Sequence, residues 1–131
     1  MDAGAILVGL ALSLVTVPLL HEGSHAGVAL VLGARRVRVR VLEGRRLAPR
    51  VEAGLDDVTR LGAVCFYGAG PLANLIAALV AFALADESAH AAVVVGTLHL
   101  LYGVLNLWPF VEGSDGCALL SLLRRRTPSS S

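Results

Sequence analysis

The chain contains no lysine: its eleven basic residues are all arginine, and each lies between Arg35 and Arg60 or within Arg124 to Arg126. Charge of either sign is missing from three long stretches, Ala3 to Leu20, Gly62 to Ala85 and Ser88 to Val111. Cysteine is scarce. Cys65 and Cys117 have neither the spacing of a metal-binding pair nor that of a disulfide framework, so both are expected to be buried free thiols. The N-terminus lacks a basic leader and a small-residue cleavage site, so Ala3 to Leu20 is expected to be a retained span rather than a removed signal. Net charge is only +1, which points to no partner by itself, and no nucleic acid partner is expected.

What is present is apolar. Hydrophobic residues make up 56% of 131 positions, with a mean hydropathy of +0.73, a composition that belongs in a bilayer. A hydrocarbon core of about 30 Å needs about 20 helical residues at 1.5 Å each, and three stretches meet that length. The expected fold is an all-α polytopic membrane protein forming one membrane-embedded domain over residues 1–131. Its spans cover about 3–33, 62–85 and 88–108, with a loop over 34–61 and a disordered tail over 127–131. Pro18 is placed to kink the over-long first helix one turn before His21.

Orientation follows from the arginines, because short positively charged loops stay cytoplasmic. Arg35 to Arg60 and the C-terminus are expected inside, and the tight Asp86-Glu87-Ser88 turn and the N-terminus outside. Within the Arg-rich loop, Val37, Val39 and Val41 alternate with Arg36, Arg38 and Arg40, the period of a half-buried strand. A turn at Glu43-Gly44 and a weaker return strand from Arg46 to Val51, interrupted by Pro49, complete a short β-hairpin-like segment. The other reading is a charged linker that touches lipid headgroups. As a hairpin, the Val37 to Val41 strand offers an edge to an extended peptide.

The most informative stretch is His21-Glu22-Gly23-Ser24-His25. Four residues advance a helix by about 400°, so His21 and His25 stack on one face where two imidazoles can share an ion. In H-E-x-x-H sites the histidines bind zinc and the glutamate takes a proton from water acidified by the metal. Given this composition, the pattern arises by chance on the order of 0.005 times per chain. Polar residues in the other spans fall into place around it. Asn74 follows the Gly70-Pro71 pair, where an interhelical hydrogen bond is the plain alternative to a functional role. His99, Tyr102 and Asn106 share one face of the third span, with His99 expected to pack through hydrogen bonds rather than ligate. Tyr102 and Trp108 are read as packing and interface residues. Asp115 is the only aspartate near the motif level outside the Arg-rich loop and is the expected third ligand, with Glu112 as a rival. An N-cap role for Asp115, on a short interfacial helix from Cys117 to Arg126, is compatible with ligation.

Taken together, His21-Glu22-x-x-His25, Gly70-Pro71-x-x-Asn74 and Asn106-x-x-Pro109 followed by Asp115-Gly116 resemble the site-2 protease family of intramembrane zinc metalloproteases, in that family's order. The resemblance covers a minimal three-helix catalytic core, nearly the whole chain. It implies one Zn2+ held by His21, His25 and Asp115, with Glu22 as catalytic base and Asn74 and Asn106 holding the substrate. It further implies hydrolysis of peptide bonds within or beside transmembrane segments, the substrate being a single-pass helix or a signal-peptide remnant in the lipid bilayer. Five residues separate Pro109 from Asp115, one more than in many members. A homo-oligomer stays open. Two other classes remain at this stage: a catalytically inactive zinc-binding membrane adaptor, against which the intact Glu22 speaks, and an ion transporter subunit. The lack of an internal repeat disfavours the transporter.

Overall fold

The computed structural model describes residues 2–43, 46–86 and 89–124, with side chains described for these except residues 41–49. In chain order it contains α1 (Ala3–Val31), β1 (Val37–Glu43), β2 (Arg46–Ala53), α2 (Arg60–Ala83), α3 (His90–Leu107) and α4 (Asp115–Arg124). Gly44 of the expected hairpin turn, Glu87 and Ser88 of the outer turn, and the tail at 127–131 lie outside the described residues.

Helices α1, α2 and α3 are each long and apolar enough to cross a membrane. The Asp2 side chain caps α1 by accepting from the Gly4 N–H at 2.9 Å. The helix then runs unbroken through Pro18 to Val31. It stops two residues earlier than expected because Gly33 takes a left-handed turn, φ +71°. There the Gly33 and Ala34 N–H groups donate back to the Leu30 and Ala29 carbonyls, closing off the last turn. Thr59 caps α2 through the Gly62 N–H at 3.1 Å. Helix α3 ends at Leu107 because Trp108, next to Pro109, is forced into extended backbone.

The two strands pair antiparallel, with Val39 opposite Val51 and Arg38 opposite Glu52. Pro49 does not interrupt β2, contrary to expectation. It falls at the register irregularity facing the step from Arg40 to Leu42, where a missing N–H removes no regular ladder bond.

Burial is inverted relative to a water-soluble domain. Ser13, His21, His25, Asn74, His99 and Ser114 are buried, whereas Leu7, Leu14, Leu19, Leu61, Leu79 and Leu84 are exposed. An interior that holds these polar groups beside Val17, Ala29, Ala63, Phe66 and Ala78, under a largely apolar surface, is unfavourable in water and compatible with a multi-pass membrane protein. The helices approach closely where side chains are small: a Cβ on Gly96 would meet the Phe82 ring, and one on Gly103 would meet Leu75. The cysteines are free as expected, but Cys65 is exposed rather than buried. In a helix with an apolar outer face a thiol is tolerated on either side, so composition alone does not fix where it points.

Candidate metal centre and cleft

His21 and His25 lie about 27 Å and 33 Å along α1 from Ala3, at 1.5 Å per residue, close to the end that meets the hairpin. Their rings are 4.8 Å apart, centroid to centroid, and edge to face. Helix α2 crosses directly over them at Gly70. A Cβ there would sit 2.5 Å from His25 Nε2 and 2.7 Å from His21 Cε1, so only glycine leaves room for both imidazoles.

Asp115 arrives from ninety residues away. The expected N-cap role falls instead to Ser114, whose Oγ accepts from the Cys117 N–H at 3.1 Å and donates to the Trp108 carbonyl at 2.8 Å. Helix α4 therefore starts two residues earlier than expected, and the Asp115 carboxylate is free to face α1. Gly116 allows this approach, since a Cβ there would run into the Leu107 carbonyl. Asp115 Oδ2 lies 3.1 Å from His21 Nε2 and 3.3 Å from His25 Nε2, and the two Nε2 atoms are 3.3 Å apart. Ligands bound tetrahedrally at about 2.0–2.1 Å lie about 3.3 Å from one another, so the three atoms already stand at the corners a small divalent ion requires.

The surrounding chemistry suits the same role. The Phe66 carbonyl can only accept, so the hydrogen bond to it at 2.7 Å places the proton of neutral His25 on Nδ1 and leaves the Nε2 lone pair free. Burial pushes the Asp115 carboxyl up, but hydrogen bonds and charge from the His21 and His25 imidazoles in their protonated form outweigh it and hold the group below its ordinary range. It is thus a carboxylate at neutral pH. Among the described residues these three form the one cluster able to hold a metal ion, and Glu112, the rival ligand, is exposed and outside it.

The cluster opens onto a cleft of about 640 Å³ whose lining includes Glu22, Val51, Tyr102 and Asn106. Glu22 Oε2 accepts from the Val51 N–H at 2.7 Å, so β2, not the expected Val37 to Val41 strand, borders the site. Strand β1 is held on the far side of β2 by the ladder. The Gly54 N–H donates to the Arg36 carbonyl, which sets the alternation: even-numbered β2 amides face β1, and those of Val51 and Ala53 face away from it.

Asn106 lines the cleft, donating from Nδ2 to the Tyr102 carbonyl at 3.0 Å. Tyr102 also does more than pack: it packs edge to face on His21, with centroids 5.1 Å apart, and forms part of the cleft wall. Asn74 is placed differently from the expected substrate contact. It is completely buried behind His21, its Nδ2 3.2 Å from His21 Nδ1 and its Oδ1 2.6 Å from His99 Nδ1. His99 is buried and hydrogen-bonded, and it lies outside the ligand cluster. Sequence reading missed the Phe66 carbonyl, Ser114 and the β2 amides. Of these only Ser114 carried a signal, being a capping residue three positions before Cys117. No family model, curated protein or solved structure matches the chain.

Proposed function

We propose that the chain is an intramembrane zinc metalloprotease of the site-2 protease type, hydrolysing peptide bonds within or next to transmembrane segments. The observation that carries this reading is the convergence of His21, His25 and Asp115 to mutual distances of 3.1–3.3 Å, on a cleft that Glu22 also lines. Zinc held there supplies Lewis acidity, acidifying water and polarising the scissile carbonyl. Glu22 accepts the proton of the attacking water and passes it to the leaving amine. Asn106 keeps one amide hydrogen beyond its bond to Tyr102 and presents it to a substrate carbonyl in the cleft.

A helical substrate must unwind before its carbonyls become accessible. The outward edge of β2, where the Val51 amide is held by Glu22 and the Ala53 amide faces away from β1, offers a pairing strand for the extended peptide through Ala53. With the Arg-rich loop on the cytoplasmic side, the N-terminus lies outside, the three helices cross in alternation, and the centre sits near the cytoplasmic surface where water enters.

The test is metal analysis of the purified chain together with cleavage of a transmembrane peptide. Wild type and Glu22→Gln should both carry close to one zinc per chain, while cleavage falls by about 10²–10⁴-fold in the variant. Full activity in Glu22→Gln removes the base assignment, and a wild-type chain with zinc but no turnover favours the inactive adaptor.

A further inference from the structure

Three polar side chains behind the metal centre form a continuous line, buried at His99 and Asn74 and half-buried at Thr16, that hydrolysis does not use. Thr16 Oγ1 lies 3.1 Å from His99 Nε2, His99 Nδ1 lies 2.6 Å from Asn74 Oδ1, and Asn74 Nδ2 lies 3.2 Å from His21 Nδ1. His99 is 2% exposed and Asn74 not at all, each inside an apolar helix. Polar groups at such depth are retained only with partners, and here the line of partners ends on a ligand imidazole.

We propose that Asn74 and His99 are positioning residues of the metal centre, forming with Thr16 a two-setting hydrogen-bond chain that decides which nitrogen of His21 is free to bind metal. This rests on the proposed metal site. In the first setting the His99 Nδ1–H donates to Asn74 Oδ1, and the Asn74 amide donates to His21 Nδ1. The proton of His21 then resides on Nε2, where it donates to Asp115 Oδ2 at 3.1 Å and is unavailable for ligation. A half-turn of the Asn74 amide exchanges its oxygen and nitrogen without moving another heavy atom. In this second setting the His21 Nδ1–H donates to Asn74 Oδ1, leaving the Nε2 lone pair free. The Asn74 amide donates to His99 Nδ1, and the His99 Nε2–H donates to Thr16.

Both settings are complete along this line, but only the first gives Asp115 Oδ2 a donor, the His21 Nε2–H, when no metal is bound. Each imidazole carries one proton in either setting, and the Thr16 hydroxyl can donate to His99 or accept from it. No comparable choice exists at His25, whose Nδ1 faces a carbonyl. Metal binding therefore selects the second setting and moves the proton of His99, a residue that touches neither metal nor cleft.

Nitrogen-15 NMR of histidine-labelled full-length chain in detergent, without zinc and with it, reads this directly. Zinc should shift the His99 proton from Nδ1 to Nε2 and that of His21 from Nε2 to Nδ1. Asn74→Leu should lower zinc affinity about 10–100-fold, as loss of a partner behind a ligand does, while the accept-only Asn74→Asp stays within about threefold of wild type. Zinc uptake with the His99 proton unmoved, or a folded Asn74→Leu chain that binds zinc like wild type, overturns this inference alone. A wild-type chain that takes up no zinc overturns it together with the metal reading. Should Asn74→Leu fail to fold, the wild-type spectra decide.

Discussion

Asp115 Oδ2 lies 3.1 Å from Nε2 of His21, closing a gap of 94 residues with a carboxylate oriented by the capping of its neighbour Ser114. Two buried imidazoles and a carboxylate at this separation could hold a metal ion, and the consequences can be measured.

Asp115→Asn keeps the shape and removes the charge. Zinc affinity should fall by more than about 100-fold, beyond the loss expected when only a partner behind a ligand is removed. Competition against a chelating dye measures it, and an unchanged affinity would place the third ligand elsewhere.

Gly70→Ala introduces a methyl group 2.5 Å from His25 Nε2 and 2.7 Å from His21 Cε1. Overpacking of this kind costs about 1–3 kcal/mol. The variant should lose zinc affinity along with thermal stability, whereas Gly68→Ala, with open space around its Cβ position, should lose neither.

Ala53→Pro deletes an amide that faces away from β1 and so leaves the ladder between the strands intact. If β2 pairs with substrate, one hydrogen bond of about 0.5–1.5 kcal/mol disappears. The expected result is a fall of about two- to tenfold in kcat/KM at unchanged zinc content, read on a transmembrane peptide. Equal loss with Val39→Pro, on the far strand, would point to hairpin stability instead of pairing.

Limited proteolysis of oriented vesicles addresses the topology. Cleavage within Arg35 to Arg60 should occur only when the cytoplasmic face is accessible, and cleavage from the outer face would invert the proposed orientation.

Much of the architecture was legible because it is local. A helical repeat places His21 above His25 whatever surrounds them, and strict alternation through Arg36 to Val41 specifies a strand. Asp115 could be selected by elimination, since other aspartates lie in the Arg-rich loop or at the opposite ends of the helices. Less legible was the direction each polar group faces. Asn74 is as compatible with a cleft as with a buried network, and the choice depends on how α2 rotates against α1, which Gly70 permits but does not announce. The strand bordering Glu22 depends likewise on how the hairpin folds back onto α1.

The sequence by itself determined three apolar helices, an H-E-x-x-H turn and a hairpin, because periodicity and hydropathy are properties of neighbouring residues. Tertiary structure alone decided that Ser114 takes the cap and frees Asp115, that β2 rather than β1 meets Glu22, and that Asn74 and His99 stand behind the centre. These are contacts between residues distant in the chain. Their geometry follows from the packing of whole helices, which no local pattern encodes.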